Sequence, residues 1–180
     1  VWVDKACIPQ ISGLKEKAIL LIEEFIKRSE SIFILLSWNY FERLWCVYEW
    51  ASFLVFHNPL NINLCVDAFL RPATQGLFVN SVRNFSVANC KCFVEEDRTI
   101  LDGKIKAYYS SVESFEKFVR ATACALIATS ATRRACRSED HFLAEFQPWV
   151  DLAKELGLTE LVEALEMADP LTWRAKAFGV

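Results

Sequence analysis

Glycine is scarce in this 180-residue chain, with five in all, and no Gly-rich phosphate-binding loop can be assembled from them. Histidine is scarcer still. His57 and His141 stand isolated, so no His-based triad or His-rich metal set has the residues it needs. No dense run of Lys or Arg occurs either; the nearest, Arg133, Arg134 and Arg137, reads as a solvated helix end. With a net charge of −3 and a pI near 5.5, the chain lacks the basic stripe that nucleic acid would require. The longest late apolar stretch, Ala121 to Ala131, is too short to span a bilayer. No signal peptide is expected from the residues given, and no internal repeat or low-complexity segment occurs in them. Val1 opens directly in an apolar, strand-like segment without an initiating Met, so the parent protein is expected to begin further upstream.

Cysteine, by contrast, is plentiful. Cys7, Cys46, Cys65, Cys90, Cys92, Cys124 and Cys136 make an odd count, and most sit inside apolar runs. An extracellular disulfide scaffold would have an even count in a short, loop-rich chain. Free thiols acting as small buried hydrophobes in a reducing, cytoplasmic compartment are expected instead. Cys90-x-Cys92 supplies two thiolates, which do not close a zinc site, so no metal is expected. The 6 Trp and 14 Phe residues are read as core, with any exposed member marking a partner surface.

Val1-Trp2-Val3 reads as a short buried strand ending at Asp4, followed by a loop containing Pro9, Ser12 and Gly13. From Leu14 to Arg28, Leu14, Ala18, Leu21, Ile22, Phe25 and Ile26 recur at helical spacing, with Lys15, Glu16, Glu23, Glu24 and Lys27 on the polar face. Ile32 to Leu36 is a continuous β-type run that suits a strand buried on both faces of a parallel sheet. Glu42 to Phe56 is read as a helix stopped by Pro59, and Ile62 to Val66 as a third strand. This alternation predicts an α/β fold with an open parallel sheet and right-handed crossovers.

Beyond Phe69 the pattern becomes helical. Leu70 to Gly76 is read as a loop, Leu77 to Asn84 as a helical turn, and Ser86 to Phe93 as a last edge strand. Helices are expected over Glu95–Tyr109 and Val112–Thr129, the second opened by Ser110 and Glu113 at capping-box spacing. Shorter helices are predicted at Phe142–Phe146, Pro148–Leu156 and Thr159–Ala168, with Gly157 and Asp169-Pro170 as punctuation. The division is therefore a partial α/β domain over residues 1–70 and a mostly helical extension over 71–180.

Ser37-Trp38-Asn39-Tyr40, followed by Leu44-Trp45-Cys46-Val47-Tyr48-Glu49-Trp50, resembles a Toll/interleukin-1 receptor (TIR) domain. In that family a Ser after a strand and a Tyr precede Trp-Cys-x-x-Glu on a helix. Val1-Trp2-Val3-Asp4-Lys5, Ala18-Ile19 and Phe25-Ile26-Lys27-Arg28-Ser29 are similar to the segments before it. The resemblance covers residues 1 to 66 and implies a flavodoxin-like, TIR-type open parallel sheet flanked by helices. The family's first strand and following loop lie outside the match, and Gly13 is the nearest equivalent of a glycine usual after the Asp-bearing strand.

Glu49 is the candidate catalytic residue, being the only charged side chain between Leu44 and Phe56 and flanked by Trp45 and Trp50. An acid in such surroundings must be solvated in a cleft, hydrogen-bonded or neutralised. TIR domains that cleave NAD carry their essential glutamate at this motif position, and the resemblance implies that role for Glu49. The nicotinamide–ribose bond breaks through an oxocarbenium-like species that a carboxylate would stabilise. The plainer role is a structural acid where the helix meets a loop. Asp4 and Ser37 follow predicted strands, at the sheet edge where open α/β proteins bind ligands. With Trp45 they are the candidate residues for holding NAD as substrate; no resident cofactor is required. Their ordinary roles are loop capping for Asp4 and, for Ser37 with Asn39, the turn and cap before the helix. Asp4 as a receiver-like phosphoryl acceptor is a weaker alternative. Two function classes follow: a protein-interaction module associating with itself or other TIR-like domains, and an NAD glycohydrolase using Glu49. The interaction module ranks first because half of the family's nucleotide pocket lies outside the match.

Overall fold

The computed structural model describes residues 11, 13–65, 71–135 and 142–166. The order is α1 (Leu14–Leu20), α2 (Ile22–Lys27), β1 (Ile32–Leu35), a 3-10 turn (Tyr40–Glu42), α3 (Leu44–Phe56), a second 3-10 turn (Pro59–Asn61) and β2 (Ile62–Cys65). Then come α4 (Pro72–Arg83), a third 3-10 turn (Val87–Asn89), α5 (Glu95–Tyr109), α6 (Val112–Ala135), α7 (Phe142–Glu155) and α8 (Thr159–Glu166). The described chain is mostly helical, with one two-stranded parallel sheet. Ile32 pairs with Ile62 and Leu35 with Cys65 at the two ends of the register.

The central element is α3. Leu44, Val47, Tyr48, Trp50, Ala51, Ser52 and Phe53 are all buried on it, so it is apolar on most of its circumference, as a helix surrounded by others must be. It packs against α2, α5 and α6, while α7 packs on α4, α6 and α8. One hydrophobic cluster runs through all of them, from Ile34 through Trp50 and Phe115 to Trp149. The start of α3 has no side-chain cap. Instead Lys91 O accepts from Leu44 N at 3.2 Å and Lys91 N donates to Glu42 O at 2.7 Å, so a distant loop satisfies a helix-end donor.

Several expectations are corrected. The first helix breaks at Leu21 into α1 and α2, and Glu23, assigned to its polar face, is buried. β1 is covered on one face only: Ile34 is buried while Phe33 and Leu35 point outward. The alternation arises because the helices pack against one side of the two-stranded sheet. Pro72 and Gly76, read as loop residues, belong to α4; proline is accommodated at a first-turn position, where no intrahelical donor is lost. Ser86 to Phe93 is not a strand but a 3-10 turn and loop, with a single bridge from Lys91 to Arg43. The capping residue of α6 is Ser111, whose Oγ accepts from Ser114 N at 3.0 Å, one position later than expected. Ser110 before it takes a left-handed φ of 66°. Finally, α7 runs continuously through Pro148, merging two predicted helices. The strand proposed for residues 1–3, with Asp4, lies outside the described residues, as do Cys7 and Cys136.

The loop before α5 is tied down by charge. Arg98 donates to Cys90 O at 2.6 Å and Val87 O at 2.8 Å, and Glu116 accepts from Ser86 Oγ and Val87 N. Arg120 donates to Phe85 O at 2.9 Å. These charge-assisted bonds fasten the backbone of a loop that no ladder holds, some of them adding to bonds of the 3-10 turn itself.

Burial also sets the alkaline limit of the fold. The described cysteines are free thiols. Burial pushes the Cys90 and Cys124 thiols up to about 12 from an ordinary 9.0. Burial raises the phenols of Tyr48 and Tyr109 above their ordinary 10.0, and for Tyr48 the neighbouring Glu23 adds to it. The unfolded chain therefore releases these protons at lower pH than the folded one, and stability falls as pH rises past the unfolded values. The expected result is a melting temperature unaffected by these groups below about pH 8 and declining steeply from about pH 9 to about 12. Differential scanning calorimetry across that range checks it; a flat profile would mean that these groups are solvated.

Candidate functional site

The motif segment is laid out by β1 and α3. Ser37 follows the end of β1, exposed, with its Oγ donating to Asn39 Oδ1 at 2.7 Å, and Tyr40 N donates to Ser37 O at 3.0 Å. The expected turn is present, whereas neither the 3-10 turn nor α3 receives a side-chain cap. Tyr40 is buried, its Oη donating to Cys46 O at 2.9 Å and its ring set edge-on to Phe41 and Trp50. Trp45 is half-buried, and its indole Nε1 donates to Asp97 Oδ2 on α5 at 3.2 Å. Lys15 on α1 reaches the same carboxylate at 3.7 Å.

Glu49 lies one turn beyond Trp45 on the same side of α3 and is half-buried. Its charge acts on Tyr40, whose phenol is held well above its ordinary value by burial first, then by Cys46 and Glu49. The structure thus brings the motif's Tyr40 and Glu49 into electrostatic reach of one another. Trp45 is directed at α5, and Asp4 lies outside the described residues. Trp50 is fully buried, donating to Thr122 Oγ1 at 3.1 Å.

A second polar group, packed between α2, α3 and α5, was not apparent from the residue pattern. Glu23 on α2 is 4% exposed. Lys104 Nζ on α5 donates to its two oxygens at 2.8 and 2.6 Å and to Leu20 O at 3.0 Å, at the break between α1 and α2. Tyr48 Oη donates to Glu23 Oε1. Ser52, one turn along α3, is buried near Tyr48 and Tyr109, and the Tyr109 Oη is buried without a formed hydrogen bond. The available signal was Lys104 itself, a charge set between Leu101 and Ile105 on the apolar stripe of α5. A cation on such a stripe requires a buried anion.

This arrangement is an ion pair with a tyrosine on the same acid, closed over by the packing of three helices. Its chemistry is that of a lock. The carboxylate is held by two donors, the ammonium also stabilises an orphan helix carbonyl, and the raised Tyr48 keeps its proton. Among the described residues no group of three His, Cys, Asp or Glu stands together as metal ligands. No helix among them is long and apolar enough to cross a membrane. No family model, curated protein or solved structure matches this chain.

Proposed function

We propose that the chain is a TIR-like protein-interaction and signalling module, of flavodoxin-like α/β type, that acts in the cytoplasm by associating with itself or with other TIR-like domains. One observation carries this reading. Phe33, Leu35 and Trp38, on the outer face of β1 and its exit, are 69%, 68% and 65% exposed. Large apolar side chains grouped in this way favour contact with another protein surface. The motif supports the same reading, since Tyr40, Trp45 and Trp50 spend their polar atoms on internal partners.

A second reading keeps Glu49 as the acid of an NAD-cleaving enzyme. It rests on a half-buried carboxylate beside Tyr40, accessible enough to stabilise a ribosyl cation as nicotinamide leaves and water adds. One experiment weighs both. Sedimentation of the chain over rising concentration should show reversible assembly, reduced by Phe33→Asp with Leu35→Asp. Nicotinamide release from NAD is followed in the same samples beside Glu49→Ala. Assembly without release supports the interaction module. Release that disappears in Glu49→Ala supports the enzyme, and a chain that stays monomeric and releases nothing overturns both.

A further inference from the structure

The break at Leu21 separates two helices that are attached to the molecule very differently. On α2, Ile22, Glu23 and Ile26 are buried. On α1, Ile19 alone is buried among the described residues, while Leu14, Lys17 and Leu20 are exposed. Lys15 and Ile19 stand one turn apart, so α1 turns this side inward. Its two polar fastenings meet one face of α5, on which Asp97, Leu101 and Lys104 recur at helical spacing. Near the start of α1, Lys15 reaches Asp97 Oδ1 at 3.7 Å; at its end, Leu20 O accepts from Lys104 Nζ at 3.0 Å. The other Asp97 oxygen accepts from Trp45 Nε1 at 3.2 Å, so one carboxylate joins α1 to the side of α3 that carries Trp45 and Glu49.

We propose that α1 is a strap that swings about Leu21 between this closed position and an open one, uncovering the Trp45 side of α3. A hinge takes up its change at the end of an element, and Leu21, with φ −100° and ψ 12°, already interrupts the helical path. A strap must also release without breaking what lies beneath it. Opening costs Lys104 only its bond to Leu20 O, because its bonds to Glu23 at 2.8 and 2.6 Å belong to α2 and stay formed. Asp97 loses Lys15 but keeps the Trp45 indole. The open state therefore strands no buried ion without a partner, which is the outcome that would make it costly. The Lys15 side chain is 29% exposed, so water reaches the latch. Segments that open on their own are those with little buried apolar surface, and α1 has Ile19 where α2 and α3 have several such residues. The strap acts in the same way whether Trp45 and Glu49 meet a protein or NAD.

The test is hydrogen exchange read by mass spectrometry on the 180-residue chain, beside Lys15→Glu, with circular dichroism confirming that the variant is folded. In the unaltered chain the amides of α1 should exchange about a hundredfold or more faster than those of α3. Lys15→Glu sets a like charge against Asp97 and should speed exchange in α1 about tenfold again while leaving α3 unchanged. Hydroxyl-radical footprinting of the same two proteins should show Trp45 more oxidised in the variant, with the fully buried Trp50 still protected. Exchange of α1 and α3 at one common rate overturns the strap, since the two would then open only together. So does a Lys15→Glu chain in which α3 loosens along with α1, or in which neither α1 exchange nor Trp45 oxidation rises.

Discussion

Replacing Lys104 with methionine is expected to remove about 3–5 kcal/mol of folding stability, the usual cost of leaving a buried charge without its partner. Lys104 and Glu23 have side-chain exposures of 12% and 5%, so little water can take over from either one. The substitution keeps most of the lysine's length and removes the ammonium. Glu23 would then retain only the Tyr48 hydroxyl, and Leu20 O at the α1–α2 break would lose its donor. For a chain of this size the melting temperature should fall by about 10 °C. Adding Glu23→Gln should recover a large part of the loss, because the amide is neutral and still accepts from Tyr48. Urea unfolding of the two variants measures both effects. A loss below about 1 kcal/mol for Lys104→Met would mean that the pair is hydrated rather than buried.

Trp50→Ala should have a comparable effect, about 3–5 kcal/mol, through the cavity left in the centre of the core. Trp50 is fully buried, meets Tyr40 and Phe41 edge-on with ring centroids 6.1 Å away in each case, and bonds Thr122 across to α6. Its removal opens a void that Tyr40, Phe41 and α6 cannot close without moving the 3-10 turn that precedes α3. Trp50→Phe should cost less, since the ring volume is largely kept and only the indole bond is lost. Trp38→Ala, 65% exposed and twelve positions earlier, should change stability by no more than about 0.5 kcal/mol. If Trp38→Ala proved as damaging as Trp50→Ala, the assignment of which motif tryptophan faces the core would be reversed.

Those two tryptophans show what residue patterns convey and where they stop. Trp38 stands between Ser37 and Asn39 in a turn and Trp50 within a long apolar helix, so the local order already separates them, although only the packed structure shows Trp50 fully buried and Trp38 65% exposed. The location of α3, α5, α6 and both strands was legible because each has a long or strongly apolar period of its own. Elements that depend on one residue were less so. Pro72 reads as a breaker, yet it serves α4 as a first-turn residue. The segment from Ser86 to Phe93 has a strand's composition, but Arg98, Glu116 and Arg120 hold its backbone as a loop. Those three side chains are contributed by helices that follow in sequence, so no window around the segment contains the cause.

The candidate site divides in the same way. Glu49 could be singled out in the sequence because a lone acid on an apolar helix is a local fact. Glu23 could not, since its amphipathic helix offers it a place on the polar face. It is buried because α5 brings Lys104 to it across 81 positions and α3 brings Tyr48 across 25. The sequence by itself determined that helices would alternate with parallel strands in the first half, that helices would dominate the second, and that one acid would stand on the central helix. The open sheet it led one to expect is, among the described residues, two strands. Hydrophobic period, residue size and charge count act over a turn or two of chain. Tertiary structure alone decided that β1 is covered on one face, that the helix breaks at Leu21, and that Glu23, Tyr48 and Lys104 form one buried group. Each of those outcomes depends on which distant element removes water from a residue, and solvent exclusion is a property of the packed molecule.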